Sequence, residues 1–168
     1  NFKANQLNNL FDNLFTKLGL EKARLSSVNN FSFSINKKLK FKDLKIESKI
    51  KLHQLVIKNS YINLKSYLPN FEESINFKDH RIVINYKKDN LKIKGKGEIL
   101  IKDKLDSINY EIIKNNDKFK FDTKINLKNN KLLIDFLDYK KKENSDSTIL
   151  IKGNFNKNRK IKFDLISL

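Results

Sequence analysis

Residues 91–102 read LKIKGKGEILIK, and this stretch decides the fold class. Leu91, Ile93, Ile99 and Ile101 share one parity, while charged residues occupy most of the other. Alternation with a period of two places the apolar side chains of a strand on one face and the polar side chains on the other. The stretch therefore predicts an antiparallel strand that has one covered face and one face in water.

The same pattern recurs from Phe31 to the last residue, separated by short turns of Asn, Asp and Lys that tolerate the left-handed backbone of tight hairpins. The predicted strands are 29–36, 39–47, 49–58, 60–65, 81–87, 90–102, 106–114, 118–128, 131–139, 147–155 and 160–167. Ser66 to Asp79, with Pro69, is predicted as a loop or crossover. The fold class is mainly β: an elongated, twisted antiparallel meander that forms a curved groove or an open, barrel-like trough. Closure into a barrel is left open.

The first residues follow a different period. Apolar side chains recur at helical spacing at Leu7, Leu10, Phe11, Leu14, Phe15 and Leu18. This stripe predicts one N-terminal amphipathic helix that ends near Gly19 and packs on the sheet or caps its end. We divide the chain into residues 1–27, the helix and a linker with Ser26 and Ser27, and residues 28–168, a single antiparallel β-sheet domain. A chain that starts at Asn1 and lacks Met is expected to be a fragment of a longer parent protein.

The charge of the chain is strongly positive but comes almost entirely from lysine. The 168 residues carry a formal net charge of +17, with arginine only at Arg24, Arg81 and Arg159. Recognition of base edges and bidentate binding of phosphate favour the arginine fork. A solvated lysine face is therefore expected and a nucleic-acid partner is not, although a basic module for nucleic acid or anionic surfaces stays an alternative. The absence of cysteine excludes disulfides, thiolate catalysis and cysteine-based zinc sites.

No pattern in the chain predicts catalysis. Gly95-Lys96-Gly97 lacks the ending and the helix of a phosphate loop, so we interpret it as a bulge or bend; alternatively, the glycines leave room for a guest. His53 and His80 are too few for a histidine metal site and are expected in solvent. The acidic pairs Asp103 with Asp106, Asp135 with Asp138, and Glu72 with Glu73 are expected to balance lysines. We expect no catalytic residue, metal or cofactor, and no enzyme.

The recurring short strands, polar turns and isolated glycines of residues 31–168 resemble the AsmA-like family of Gram-negative envelope proteins, the group that includes TamB and YhdP. The stretches that carry the resemblance are 31–35, 39–46, 91–99 and 149–155. The resemblance implies a β-sheet folded into a hydrophobic groove that carries phospholipid across the periplasm. It implies no catalytic residue.

On this interpretation the chain is a segment of an envelope protein whose groove binds or conducts phospholipid between membranes. The expected floor of the groove is Phe31, Phe33, Ile93, Gly95, Gly97, Ile99, Ile101, Phe119, Phe121, Ile149, Ile151 and Phe163. The expected partners are phospholipid or another acyl-chain ligand, the membrane through the parent protein, and flanking β-hairpins of the parent. The expected location is the periplasm or cell envelope, with anchoring through parts of the parent outside this segment. A ligand-free structural β-scaffold is a further alternative.

Overall fold

The computed structural model describes residues 19–58, 64–72, 74–88, 90–156 and 161–168. The strands in these residues are β1 Leu20–Ile35, β2 Phe41–Lys58, β3 Ser74–Lys87, β4 Asn90–Ile101, β5 Lys104–Asn115, β6 Lys118–Leu127, β7 Leu132–Ile134, β8 Tyr139–Lys141, β9 Ser147–Asn156 and β10 Ile161–Ser167. Short 3₁₀ helices cover Leu64–Ser66 and Asp135–Leu137. The predicted helix over residues 7–18 lies outside the described residues.

Eight strands form one antiparallel sheet in the order β1-β2-β3-β4-β5-β6-β9-β10. Neighbours in the sheet are neighbours along the chain, except that a separate β7-β8 hairpin is inserted between β6 and β9. Since β1 and β10 occupy opposite edges, the sheet is not closed into a barrel. The predictions of a mainly β fold and of an antiparallel meander are confirmed.

Several predicted boundaries are wrong. β1 begins at Leu20, so Ser26 and Ser27 lie within a strand and not in a linker. The strands predicted over 39–47 and 49–58 are one strand, because the backbone stays paired to both neighbours through Ser48. The predicted strand over 131–139 is broken by the 3₁₀ helix at Asp135–Leu137, where Asp138 adopts a left-handed backbone.

The segment between β2 and β3 is shorter than predicted. β3 begins at Ser74, seven residues before the predicted start, and Leu64 and Lys65 are in a 3₁₀ helix instead of the predicted strand 60–65. The alternation of apolar and polar residues is interrupted within β3, because the strand contains a bulge at Asp79, whose φ is 48°. Lys78 pairs with Glu98 and Arg81 pairs with Lys96, so β3 has one more residue than β4 here. The extra residue reverses the parity of β3.

The core lies at one end of the sheet, beneath the two segments that leave it. We call residues 64–72 and 128–146 together the cap. Phe71 in the cap packs on Ile99, Ile101 and Ile108 of the sheet, and all four side chains are buried. The two cap segments also contact each other, because the Leu133 amide donates a hydrogen bond of 2.8 Å to the Tyr67 carbonyl. The cap therefore supplies the second layer that a single sheet lacks.

Two buried charged side chains order the second cap segment: Asp106 of β5 joins it to the sheet, and Lys141 links parts of the segment to each other. The Asp106 carboxylate accepts hydrogen bonds from the backbone amides of three consecutive residues, 128–130, at 2.7, 2.9 and 3.2 Å. From the other side, the Lys141 ammonium donates to the carbonyls of Lys128, Asn130 and Lys142. Asp106 was expected to balance lysines together with Asp103, but in the structure it binds backbone amides. Successive amides that converge on one carboxylate form an anion-binding turn.

The burial of Phe71 predicts a large effect on stability. We expect Phe71→Ala to lower the free energy of unfolding by about 3–5 kcal/mol, because the residue is 7% exposed and the vacated space is lined by packed side chains. The matched control is Phe31→Ala, where the same change affects a side chain that is 62% exposed and should cost about 1 kcal/mol or less. Denaturant titration of both variants measures the difference. Equal losses would contradict the placement of the core under the cap.

Candidate functional site

The register of the strands defines an apolar face across the whole sheet. Directly paired residues lie on the same face. One row, which we call the outer row, contains Phe31, Ile46, Tyr86, Leu91, Lys114, Phe119, Phe155 and Ile161, one from each of the eight strands. The next row contains Ile84, Ile93, Ile112, Phe121, Gly153 and Phe163, and it ends on β2 and β1 with the polar residues Ser48 and Asn29. The apolar face continues from these rows to Ile99 and Ile101 under the cap.

The twelve residues predicted as groove floor all lie on this face. Phe31, Ile93, Gly95, Gly97, Ile99, Phe119, Phe121, Ile149, Ile151 and Phe163 are placed there by direct pairing, and Phe33 and Ile101 follow by alternation along β1 and β4. The strand register thus places all twelve on one face, while their role as the floor of a lipid groove stays a prediction. Phe155, in the outer row, was left out of the predicted floor, although its parity with Ile151 was a sufficient signal.

Coverage of the face changes from one end to the other. Ile101 is 4% exposed beneath the cap, whereas Phe31, Phe33 and Phe163 are exposed and line the opposite end. We call the part of the apolar face from the outer row up to Gly95 the open end. Ile99 and Ile101 are covered by protein and are not available to a ligand. The predicted floor is therefore divided into a buried core and an uncovered surface.

Aromatic rings concentrate at one side of the open end. The rings of Phe119 and Phe155 stack with centroids 4.5 Å apart, and Phe121 meets Phe163 edge to face at 6.2 Å. Gly153 lies directly opposite Phe121, where a Cβ atom would approach the ring to 2.5 Å. Glycine at this position is what allows the ring to lie flat across β9. Offset and edge-to-face arrangements stabilise such aromatic pairs beyond the area that they bury.

The glycines of β4 do not leave room for a guest. A Cβ atom at Gly95 would lie 2.2 Å from the ring of Tyr110, and one at Gly97 would lie 2.3 Å from the ring of His80. The neighbouring strands therefore fill the space with their own rings. The alternative of a guest beside these glycines is wrong. The bulge expected at the glycines lies on β3 instead, at Asp79 opposite Gly97, while β4 stays in register with β5 through both glycines.

The prediction that His80 lies in solvent is wrong, because its side chain is buried within the sheet. Its side chain is 1% exposed, and its Nε2 atom lies 3.0 Å from the Glu98 carbonyl oxygen. The Phe77 ring packs edge-on against it at 5.5 Å, and the Tyr110 hydroxyl lies 3.5 Å from Nδ1. Alternation from Ile84 and Ile82 places His80 on the apolar face, and the bulge at Asp79 brings Phe77 onto the same face. Burial lowers the pKa of the imidazole below its ordinary value of 6.5, because the charged form is desolvated.

The opposite face of the sheet, which we call the charged face, carries paired ions. Glu111 binds Lys92 at 2.7 Å and Lys94 at 3.6 Å, and Asp122 binds Lys152 at 2.8 Å. The hydrogen bond from Lys92 lowers the pKa of the Glu111 carboxyl, and the charge of Lys94 adds to this effect. A depression of about 570 Å³ opens on this face. Exposed pairs of this kind contribute little to stability.

The described residues contain no group of three or more histidine, cysteine or acidic side chains placed to bind a metal ion. Within the same residues, no helix has the length and apolarity required to cross a membrane. No family model, curated protein sequence or solved structure matches the chain. Membership of the AsmA-like family therefore stays a prediction, based on the recurring pattern of short strands and polar turns.

The burial of His80 predicts how stability depends on pH. Since its folded pKa is lowered, the unfolded state binds the proton more tightly, and stability must fall as pH drops below about 6.5. The loss ends once the folded state is also protonated. Unfolding titrations at pH 8, 7, 6 and 5 measure the slope.

Two substitutions isolate the histidine that is responsible. His80→Gln should remove this pH dependence, even though it lowers stability at every pH, whereas His53→Gln should retain it. Asp79, Glu98 and Tyr110 face the imidazole and remain in both variants. A wild-type stability that is constant from pH 8 to pH 5 would show that His80 is not held neutral.

Proposed function

We propose that the open end of the apolar face binds the acyl chains of phospholipid, as one segment of an envelope protein that passes lipid between membranes. The observation that carries this proposal is the outer row. Seven of its eight residues are apolar or aromatic, one on each of seven strands, and the exception, Lys114, places its ammonium 5.8 Å from the centre of the Phe119 ring. An apolar row of this length that no described segment covers is typical of a surface that binds an apolar partner.

The dimensions of the open end suit acyl chains. Four residues separate Gly95 from Leu91 in the outer row, which corresponds to about 13 Å along the strand. Acyl chains of one bilayer leaflet span about 15 Å. Most of the length of a chain could therefore lie along the strands between Gly95 and the outer row. Burial of apolar area contributes about 25 cal/mol per Å², so a chain that covers several of these side chains is held firmly.

The border of the sheet supports continuation by other segments. β1 and β10 are edge strands, and Phe31, Phe33 and Ile35 on β1 are exposed together with Ile161, Phe163 and Ile166 on β10. Exposed apolar edge strands are templates for pairing with further strands. Flanking β-hairpins of the parent protein would extend the apolar face in both directions. Envelope location and membrane anchoring through the parent belong to this proposal, as does the absence of catalysis.

Photo-crosslinking tests the proposal with probes on adjacent residues. We expect benzoyl-phenylalanine in place of Phe163 to capture phospholipid from vesicles incubated with the purified chain, because this side chain is 55% exposed on the apolar face. The probe in place of Lys162, one residue earlier, projects from the charged face and should capture none. The pair Phe31 and Ser32 repeats the comparison on the other edge strand. Mass spectrometry identifies the adducts.

The outcomes separate the alternatives. Strong adducts at Phe163 and Phe31 with none at their neighbours support acyl binding on the apolar face. Equal labelling at both parities indicates attraction of lysines to the vesicle surface and rejects the proposal. No labelling at any of the four positions, with the chain folded, leaves a ligand-free structural scaffold.

A further inference from the structure

A second row of residues, on the charged face, has a composition unlike its neighbours. We call it the cationic row: Lys51, Arg81, Lys96, Asn109 and Lys124, paired in sequence across β2, β3, β4, β5 and β6. The row contains four cations and no acid. In the next row toward the open end, Lys94 and Lys152 flank the acids Glu111 and Asp122. With four cations it is the most positive row of the charged face, and an acid-free row with three cations, Lys45, Lys87 and Lys118, lies at the outer end.

The cations of the row oppose each other without compensation. Lys51 lies directly opposite Arg81, and Arg81 lies directly opposite Lys96. Like charges at directly paired positions destabilise a sheet. Within the described residues none of the four cations forms an ion pair, although nearby lysines are bound by Glu111 and Asp122. All four side chains are exposed. The fold thus retains a repulsive arrangement that an anion would relieve.

The shape of the surface around the row suits an extended anion. Arg81, Lys96, Asn109 and Lys124 line one side of the depression of about 570 Å³ on the charged face, and Lys94 with its ion-paired neighbours Glu111 and Asp122 lines the other. Neighbouring strands are about 4.8 Å apart, so the row from Lys51 to Lys124 is about 19 Å long. The Arg81 guanidinium offers a planar fork to an oxyanion, and the lysines offer compact charges on either side. A linear molecule with repeated anionic groups can contact the whole row.

The cationic row has no aromatic residue, and this indicates which kind of anion it binds. Platforms for single-stranded nucleic acid interleave cations with aromatic rings that stack on bases. The row has no aromatic residue, and its flanking positions on the charged face carry charged, amide or aliphatic side chains. We infer that the cationic row is a binding site for a chain of phosphate groups, recognised through phosphate oxygens and not through bases. The site is independent of the apolar face and goes beyond the proposed lipid function.

Matched triple variants test the inference. The row variant carries Lys51→Gln, Arg81→Gln and Lys96→Gln, and the control variant carries Lys45→Gln, Lys87→Gln and Lys118→Gln. Both lose three positive charges, but the control residues lie at the outer end of the charged face, outside the depression. Inorganic polyphosphate, an oligothymidylate with the same number of phosphates, and phosphatidylglycerol vesicles serve as probes. Fluorescence titrations at about 50 and 200 mM salt measure binding.

We expect polyphosphate to bind the wild-type chain at low salt and to weaken as salt rises, because binding releases counterions. The row variant should bind at least about tenfold more weakly, and the control variant less than about threefold. Oligothymidylate should bind no more tightly than polyphosphate. The row variant should melt at the same or a higher temperature than wild type, because repulsion is relieved, so lost binding cannot be attributed to unfolding.

Three results would overturn the inference. Equal weakening in both variants would mean that binding follows net charge alone. Tighter binding of oligothymidylate than of polyphosphate would mean that bases are recognised. Binding only to vesicles, or to none of the probes at low salt, would mean that the row has no phosphate-chain ligand.

Discussion

The packing of Phe71 against Ile99, Ile101 and Ile108 is the contact on which the rest of the structure depends. A single-layer sheet exposes its apolar face unless another segment covers it. Among the described residues the cap provides that layer at one end only; Asp106 holds the cap on the sheet, and Lys141 links carbonyls within it. Because the cover is partial, the same face is protein core at one end and an exposed apolar surface at the other. The candidate ligand site is the uncovered remainder of the core face.

The two faces of the sheet suit different partners, and the geometry of a strand keeps them apart. Adjacent residues project to opposite sides, so a lysine-rich row and an isoleucine-rich row can alternate along one strand without contact. Lys94 binds Glu111 on one side while Ile93 and Gly95 lie on the other. An acyl-chain ligand and a phosphate chain could therefore be bound at the same time. The lysines of β4 and β6 lie on the charged face and do not conflict with an apolar site behind it.

Sequence reasoning succeeded where a regular strand repeats and failed where one extra residue reverses the pattern. Residues 91–102 alternate without interruption, and β4 follows the prediction to within one residue. His80 was expected in solvent because it follows Asp79 in a region predicted as a loop. In the structure β3 already includes both residues, and the bulge at Asp79 brings Phe77 onto the face of His80, which packs between Phe77 and Tyr110. A bulge depends on register with the next strand, which a single strand does not encode in its own period.

The sequence by itself determined which side chains share a face within a regular strand and that most neighbouring strands pair, because both follow from local alternation and short turns. It did not determine the bulge in β3 or the β7-β8 hairpin between β6 and β9. Only the tertiary structure decided which part of that face is covered. Phe71 reaches Ile101, and Asp106 binds the amides of residues 128–130, through contacts between segments that are far apart in the chain. Rings from neighbouring strands fill the space beside Gly95 and Gly97, and these contacts also join residues that are apart in the chain. Such contacts depend on three-dimensional packing, for which the period of the sequence contains no signal.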